Sequence, residues 1–481
     1  MLRLRSYILF IALAIMLTSC ASYNAQVSDY YGYLQQGDYK KAAKALDKNR
    51  LLKKNRNHLL YLLERGKVSH LLHDWESSNT YFNEADDLME SARSSAKDIM
   101  LGTLMNPMMQ SYKAEDFEKY LVHYYKALNY LQLNQPEEAM VEARRISLRT
   151  YAQEDKVTNK NKYSDDAFSF TLQGMIYEKN GDINNAFIAY RNAADVYEGS
   201  NGSFYGTSMP DQLKKDVLRT AEQNGFIDEK ERYEKLFNSV YTKEEAPEGG
   251  ELILFWENGS APVKSQQDIW FSLSKGQSGG LFFTDANGNY NVPFNTSMGY
   301  NTNFNLEDIR SFRVALPKYE TRPLIYSGAS LSSNNSTYQL EAAENINTLA
   351  FATLKERMLK ELSTTLTRLA VKKLTEAAVR PGEKKNDDSK GKTDDEKKKE
   401  EKNRNTREAL ALGLQLFNFA SEKADTRNWQ SLPHTIYYTR VPLQKGENKI
   451  ALRVNGGASS SKEITVNGDG GLQFLNVCTL K

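Results

Sequence analysis

Apolar and small residues recur at one spacing in the first half of the chain, between residues 25 and 240. The clearest case begins with a glycine, an aromatic residue and a second glycine, and continues with alternating small and aromatic residues. Small residues let two antiparallel helices approach closely, large aromatic side chains fill the space beside them, and a glycine accommodates the turn. A helix–turn–helix unit is therefore predicted from Gly174, Tyr177, Gly181, Ala186, Tyr190 and Ala193.

The same spacing occurs in three more segments, Tyr30–Leu46, Gly66–Ala85 and Ala127–Ala143. The pattern resembles the tetratricopeptide repeat (TPR), a helical hairpin that stacks on its neighbours to form an α-solenoid. The intervals between the segments are irregular, so the repeats are degenerate. We expect a TPR-like helical repeat domain over residues 20–245, with a generic helical bundle as the alternative.

Such arrays present a concave surface that binds peptides or protein segments. Tyr130, Tyr177 and Tyr190 are the candidate binding residues, because a tyrosine combines an apolar ring with a polar tip. Packing between helices is the other role open to these tyrosines, and it is the favoured one.

The histidines of this half raise the question of a metal site. His70 and His73 lie one helical turn apart, as two ligands of one ion could. No cysteine or acidic residue nearby in sequence completes a site, and the same holds for His58 and His123. We therefore expect structural or surface histidines and no metal.

The pattern changes period after residue 246. A buried strand is predicted at Glu251–Glu257, and shorter strand candidates follow. Seven or eight short strands favour a β-sandwich-like domain formed by residues 250–338 plus 430–481. The whole chain is thus predicted to have an α+β fold. The further strand candidates are Asp268–Leu273, Gly280–Thr284, Tyr290–Pro293, Ser311–Leu316, Thr435–Pro442, Lys449–Val454 and Lys462–Val466.

A helical hairpin interrupts the β pattern over residues 339–425. Leu340–Val379 has an apolar stripe at helical spacing, residues 382–408 form a charged tip that is expected to be disordered, and Ala409–Ala420 is apolar on most sides. Two interpretations stay open. The hairpin covers one face of the β domain, or its surplus apolar surface meets another subunit, a partner protein or the membrane interface.

The first residues have the features of an export signal. Arg3 and Arg5 precede an apolar stretch, Tyr7–Leu17, that is too short to span a bilayer. Leu17-Thr18-Ser19-Cys20 resembles the lipobox of bacterial lipoproteins, in which the signal is removed before a cysteine that then carries lipid. The alternative is an ordinary secretory leader with a chance cysteine at its end.

The lipobox resemblance implies a signal peptide over residues 1–19 and a mature chain that begins at lipidated, palmitate-bearing Cys20. Ala21 is not the aspartate that retains many lipoproteins in the inner membrane, and residues 22–26 contain no acidic cluster of the kind used for surface export. We expect a lipid-anchored protein on the periplasmic side of the outer membrane.

Composition narrows the classes of partner. Lys and Arg number 63 and Asp and Glu 61, so the net charge of +2 excludes the broad basic field that nucleic-acid binding needs. Lipidation of Cys20 would leave only Cys478, so no intramolecular disulfide is expected. The apolar surroundings of Cys478 favour a buried, inert thiol.

A second resemblance covers nearly the whole mature chain. Asp425–Pro433, Arg440–Leu443 and Leu252–Gly259 are similar to segments of a family of uncharacterised bacterial outer-membrane lipoproteins with N-terminal TPR repeats and a C-terminal β domain. The family is often encoded near lipoproteins resembling a curli-type secretion channel and an activator of penicillin-binding proteins. The resemblance implies an envelope protein without established chemistry.

The segment around residue 425 allows two interpretations. Asp425, Arg427 and Trp429 are candidate binding residues for a ligand, or they form a charge pair and an aromatic anchor that fix how the hairpin re-enters the sheet. The second, structural interpretation is favoured.

The sequence contains no HExxH, GxSxG or SxxK motif and no ordered phosphate loop. Carboxylate pairs for glycan cleavage, such as Glu257 with Asp268, have no constellation that singles them out. We expect no catalytic residues and no cofactor. The favoured function is a lipid-anchored periplasmic scaffold that recruits or assembles partner proteins at the outer membrane through the groove of the TPR-like repeats. The expected partners include other envelope lipoproteins or a second copy of the protein. The alternatives are a secretion or pore component and a cell-wall-acting enzyme.

Overall fold

The computed structural model describes residues 23–91, 107–154, 165–243, 245–275, 281–294, 311–379, 393, 399, 401–408, 410, 422–457 and 460–480. The predicted leader, residues 1–19, and Cys20 lie outside these ranges. So do most of the predicted charged tip and nearly all of the second predicted hairpin helix, residues 409–420.

Helices form antiparallel pairs throughout the described part of residues 23–237. They are α1 (Tyr23–Gln35), α2 (Tyr39–Lys48), α3 (His58–Leu71), α4 (Trp75–Ser91), α5 (Asp116–Gln132), α6 (Pro136–Glu154), α7 (Ala167–Lys179), α8 (Ile183–Gly199), α9 (Asp211–Asn224) and α10 (Ile227–Phe237). Short 3₁₀ turns at Asn55–Asn57 and Pro107–Met109 lie between pairs. A small ribbon of β1 (Ser203–Phe204) and β2 (Thr207–Ser208) joins α8 to α9.

The predicted repeat spacing corresponds to helix packing within these pairs. A Cβ atom placed on Gly66 would lie 2.7 Å from the ring of Phe82, and one on Gly174 would lie 2.6 Å from the ring of Tyr190. The turn of each pair contains a residue with positive φ, which favours glycine or asparagine. Both features confirm the physical basis of the TPR-like prediction. The positive-φ turn residues are Gly37, His73, Asn134, Gly181 and Gly225.

Strands from Glu251 onward form three four-stranded sheets. They are β3 (Glu251–Asn258), β4 (Val263–Lys275), β5 (Leu281–Asp285), β6 (Asn291–Phe294), β7 (Ser311–Glu320), β8 (Gly328–Ser333), β9 (Ser336–Gln339), β10 (Glu341–Asn345), β11 (Thr435–Pro442), β12 (Gly446–Asn455), β13 (Ser460–Gly468) and β14 (Leu472–Thr479). We call the β10-β11-β3-β14 sheet the inner sheet, the β13-β12-β8-β9 sheet the outer sheet and the β6-β5-β4-β7 sheet the side sheet.

The inner and outer sheets form the predicted β-sandwich. Leu252, Leu254 and Trp256 on one face of β3 pack with Leu331 and Ile450 of the outer sheet. Because strand side chains alternate, the next residues along β3 point the other way. Ile253 and Phe255 join the core of the helical array. The molecule is therefore layered as helices, inner sheet and outer sheet, and the first two layers share one hydrophobic core.

The long helix α11 (Ile346–Val379) covers the side sheet. Leu362, Leu366 and Leu369 pack there with Phe271 and Val314. This contact accounts for the apolar stripe of the first hairpin helix, as the covering interpretation expected. Arg357 of the same helix pairs with Glu115 at 2.5 Å, at the start of α5, so α11 also contacts the helical array.

The predicted boundaries of the insertion need two corrections. Residues 341–345 were predicted to be helical but form β10, because they pair with β11 and complete the edge of the inner sheet. Residues 401–408 were assigned to the disordered tip but are helical, with an Arg404–Glu408 ion pair of 3.0 Å one turn apart.

Besides β10, the prediction missed three described strands of the β domain and the two strands of the small ribbon, β1 and β2. The segments that form β8, β9 and β14 contain serine, asparagine and glutamine, which weaken the apolar pattern of a strand. Strand β14 pairs with β3 in parallel, through a connection that no local pattern reveals. Among the described residues, no helix is both long enough and apolar enough for a membrane span.

The inner face of the helical array as the candidate functional site

The first helices of successive pairs, α1, α3, α5, α7 and α9, face the β domain and the segment that leads into it. We call their common surface the inner face. It carries an unusual number of buried charged and polar side chains, among them Glu64, Lys67, Glu118, Asn129 and Asp216. Buried charges are costly unless they are paired and hydrogen-bonded. Their partners define what this surface does.

One group of partners lies in the segment that leads from the insertion back to the inner sheet, residues 422–434, which we call the connecting segment. The backbone N–H of Trp429 donates to Glu118 Oε1 at 2.9 Å, and that of Gln430 donates to Glu64 Oε1 at 3.0 Å. The indole of Trp429 is fully buried beside Phe82. The helices thus bind the chain's own extended segment through its backbone and one aromatic anchor.

The surroundings of Glu64 and Glu118 raise the pKa of both carboxyl groups. Burial raises the pKa of Glu64, although hydroxyl groups that include Tyr30 and Tyr31 donate to it and oppose the shift. Burial and then the neighbouring Glu115 carboxylate raise the pKa of Glu118 to about 7. Both carboxyl groups therefore contact the connecting segment in surroundings that favour their neutral form.

Arg427 binds more partners than the charge pair with Asp425 that the sequence predicts. It pairs with Asp425 at 2.6 Å, as the structural interpretation expected. The same guanidinium also donates to Asn57 Oδ1 at 2.7 Å and to the carbonyl of Gln110 at 3.0 Å. Burial raises the pKa of Asp425, but the charge of Arg427 outweighs it, and the pKa lies below its usual value. The pair therefore anchors the segment to two loops of the helical array.

A second group of partners surrounds Glu257 at the end of β3. Its carboxylate forms an ion pair with Lys67 of α3, and neither side chain has any exposed surface. It accepts hydrogen bonds from Tyr125 Oη at 3.1 Å and Asn476 Nδ2 at 2.9 Å. Burial raises the pKa of Glu257, and Lys67 more than offsets this, so the pKa is lowered. No substrate can reach Glu257 in this enclosed position.

Cys478, which was predicted to be a buried and inert thiol, lies beside this ion pair and is partly buried. Cys478 Sγ donates to Glu257 Oε2 at 3.0 Å. Burial, and then the Glu257 charge, raise the pKa of Cys478 well above its usual value. The other carboxylate considered for glycan cleavage, Asp268, lies on the side sheet, where Arg313 is within 3.3 Å. Glu257 and Asp268 therefore pair with different cations, Lys67 and Arg313, on different sheets.

A third connection joins β11 to α7 and α9. Arg440 contacts Glu178 at 2.6 Å and Asp216 at 3.1 Å, and Arg219 contacts Glu178 at 2.7 Å. Burial raises the pKa of Glu178. The charges of Arg440 and Arg219 lower this pKa by more than burial raises it, and the pKa is about 2. The inner sheet is thus attached to the array by ion pairs along its length.

The candidate tyrosines have packing roles. Tyr190 is fully buried against Gly174, and its hydroxyl donates to Glu178 at 3.0 Å. Tyr130 and Tyr177 are half-buried at the edge of the same core. Tyr190, Arg427 and Trp429 are enclosed in the core, whereas Tyr130 and Tyr177 keep part of their surface exposed.

One cluster has the composition of a metal site. Asp86, His123 and Glu142 are buried and place one ligand atom each within 4.8 Å of one another. Lys126 Nζ, however, lies 2.9 Å from Glu142 and 3.2 Å from Asp86. Its ammonium group supplies the positive charge that an ion would provide. This cluster has no local signal in the sequence, because its members come from three helices, α4, α5 and α6.

A buried pair of carboxyl groups connects α7 to β10. Asp166, the residue before α7, and Glu344 of β10 hydrogen-bond each other, and both are buried near Tyr197. Burial, and then the charge of Asp166, raise the pKa of Glu344 well above its usual value. A protonated Glu344 donates to Asp166, whereas two ionised groups would repel each other.

We expect this pair to weaken the fold as the pH rises. A folded-state pKa above the unfolded value gives stability that is complete below the unfolded pKa and lost as the pH rises through the folded pKa. The variant Glu344→Gln donates at every pH, so its free energy of unfolding should exceed that of the wild type at pH 8 and match it near pH 4. Urea denaturation at both pH values measures this. The control Glu231→Gln, at an exposed residue, should leave the free energy of unfolding unchanged at both pH values. An equal gain in stability for Glu344→Gln at both pH values would contradict a proton shared by Asp166 and Glu344.

Most of these residues carried a weak signal in the sequence. Glu64 follows an apolar run in α3, and Glu257 ends the run of apolar residues in β3. A charge inside a segment predicted to be buried requires a partner. The sequence shows that need but not which distant residue meets it.

Together these contacts define a TPR-like helical repeat protein whose inner face is covered by its own β-sandwich. No family model and no curated protein matches the sequence. Among solved structures, MamA of Desulfovibrio magneticus RS-1 is 14% identical over 44% of this chain and 89% of that one, with a TM-score of 0.28.

Two further solved structures are similar at the same level. A putative kinesin light chain of Podospora anserina with TPR-like repeats is 11% identical over 45% of this chain and 92% of that one, with a TM-score of 0.30. BtubC from P. vanneervenii is 12% identical over 44% of this chain and 80% of that one, with a TM-score of 0.29. At these scores, the fold assignment rests on the packing described above.

Proposed function

We propose that the protein is a lipid-anchored scaffold on the periplasmic side of a bacterial outer membrane, which recruits or assembles partner proteins. The observation that carries the proposal is the closure of the inner face. Its charged residues bind the connecting segment and the inner sheet, so they build a rigid body rather than a reactive centre. A rigid body behind a lipobox supports a scaffold better than a cell-wall enzyme.

Partner contacts must then use surfaces other than the inner face. Trp270 on β4 is 53% exposed and Phe351 on α11 is 39% exposed, although both are large apolar side chains. The insertion between residues 379 and 422 follows the end of α11. Exposed aromatic residues are enriched at protein interfaces. We assign partner binding to the side sheet, α11 and the insertion.

Lipid attachment is tested by mass spectrometry of the mature N-terminus purified from bacterial membranes. We expect a chain that begins at Cys20 and carries a diacylglycerol with acyl chains such as palmitate. Cys20→Ser should leave the leader uncleaved or the product unlipidated. A mature chain that begins at another residue, or an unmodified Cys20, contradicts the anchoring.

The insertion can be tested without removing α11. Glu422 lies 3.2 Å from Lys372, near the end of α11, so a short Gly/Ser linker can replace residues 380–421. We expect the shortened protein to keep its thermal unfolding transition but to lose crosslinked species that the full protein forms in native membranes. A Gly/Ser replacement of exposed residues 334–335, in the β8–β9 turn of the outer sheet, is the control and should keep these crosslinked species. Unchanged crosslinking of the shortened protein would contradict the assignment.

A further inference from the structure

A group of exposed basic residues lies next to the first helix. The end of α2 and the turn after it contain five cations and no acidic residue after Asp47, and each of the five side chains is exposed. Within the described residues, no ion pair links them to a carboxylate. We call them the basic end of the array: Lys44, Lys48, Arg50, Lys53 and Lys54.

The basic end is close to the start of the described chain. Helices α1 and α2 are antiparallel, so the end of α2 lies beside the beginning of α1. The contact is direct, since Asn49 Nδ2 donates to the carbonyl of Gln26 at 2.9 Å. Only Ala21 and Ser22 separate Cys20 from Tyr23, the first residue of α1. Three residues span at most about 10 Å, so a lipid on Cys20 holds this end of the array at the bilayer surface.

A groove between the two helices opens on the same surface. It has a volume of about 390 Å³. Lys41, Lys44 and Lys48 of α2 line one wall, and Asp29 and Tyr33 of α1 line the other. Lys41 is paired with Asp38 at 2.7 Å. Lys44 and Lys48 form no ion pair with the described residues, so their ammonium groups can bind a ligand. Ammonium groups beside hydroxyl and carboxylate acceptors suit a phosphate that carries a polyol.

We propose that the basic end and this groove bind the headgroups of anionic phospholipids of the phosphatidylglycerol type. The inference deepens the proposed function, because it gives the anchored scaffold a fixed orientation on its membrane. One acyl-type anchor with a basic patch binds a bilayer more firmly than either alone. Each Lys or Arg near an anionic surface adds attraction that decays within a Debye length of about 8–10 Å. The turn after α2 contacts the first turns of α1, and α1 begins three residues after Cys20.

The test uses the full mature chain with Cys20→Ser, so that binding does not depend on lipidation. Vesicles contain phosphatidylglycerol and phosphatidylcholine, or phosphatidylcholine alone, and binding is measured by cosedimentation. We expect binding to the anionic vesicles at low salt, loss of that binding as salt is raised, and none to the neutral vesicles. Lys44→Gln, Lys48→Gln and Arg50→Gln together should weaken binding roughly 100-fold, at about fivefold for each charge.

A matched variant separates this site from net charge. Lys215→Gln, Lys235→Gln and Lys243→Gln remove three exposed charges at the other end of the array and should change binding less than about threefold. Equal losses in both triple variants, equal binding to neutral vesicles, or no binding by the Cys20→Ser chain at low salt would each overturn the proposal. Because that chain carries no lipid, a failure here is distinct from a failure of lipid attachment, which the N-terminal mass reports.

Discussion

Replacing Glu257 by leucine is expected to lower the free energy of unfolding by about 3–5 kcal/mol, the usual cost of removing one partner from a buried ion pair. Lys67 would keep its ammonium group in a position without solvent contact. The hydrogen bonds from Tyr125 and Asn476 would also be lost. Urea denaturation followed by circular dichroism measures the loss. The transition should stay cooperative, because the helical array and the inner sheet share one core.

Two variants show whether the loss comes from the unpaired charge. Adding Lys67→Met to Glu257→Leu removes both charges and should recover a large part of the stability. Glu222→Leu breaks a partly exposed pair with Lys230 and should cost no more than about 1 kcal/mol. If the double variant is no more stable than Glu257→Leu, Lys67 does not depend on this carboxylate.

Replacing Trp429 by alanine is the second change with a large expected effect, about 3–5 kcal/mol of unfolding free energy. The indole is fully buried between Phe82 and Tyr125, at ring-centre distances of 5.8 and 5.9 Å. Its removal leaves a cavity at the point where the connecting segment meets the helices. We also expect the segment to detach more often, since its aromatic anchor is gone. Limited proteolysis should then cleave within residues 422–434 at a protease concentration that leaves the wild type intact.

The chain offers a matched control for this change. Trp270 is 53% exposed on the side sheet, so Trp270→Ala should alter the unfolding free energy by less than about 0.5 kcal/mol. Trp270→Ala should also leave the protease resistance of the connecting segment unchanged. If both alanine variants lose stability equally, the burial of Trp429 does not hold the connecting segment on the array.

Closure of the inner face changes where a partner is expected. The repeat pattern suggests a groove open to peptides, but Glu64 and Glu118 already bind the backbone of residues 429 and 430. A TPR-like array that binds its own chain has satisfied the polar groups that another peptide would use. The exposed side sheet and the insertion are left for recognition. We therefore expect partners to bind the side sheet and the insertion and not the inner face of the helical array.

The sequence by itself determined the features that depend on neighbouring residues. Gly174 and Tyr190 belong to one helical pair, and Gly181 provides its turn, so their spacing alone predicts how the pair packs. The apolar run of β3 likewise predicts a buried strand. Helix pairs and strands of this kind follow from short-range packing and backbone preferences, which a local pattern records.

Only the tertiary structure decided which distant residues meet. Lys67 and Glu257 are 190 residues apart, and their pairing joins a helix to a strand. The parallel pairing of β14 with β3 and the binding of Trp429 to the inner face depend in the same way on the assembled layers. A buried charge requires a partner, but local periodicity does not identify a partner on another element. The inner face was therefore predicted as a surface for other proteins, and the structure shows it bound to its own chain.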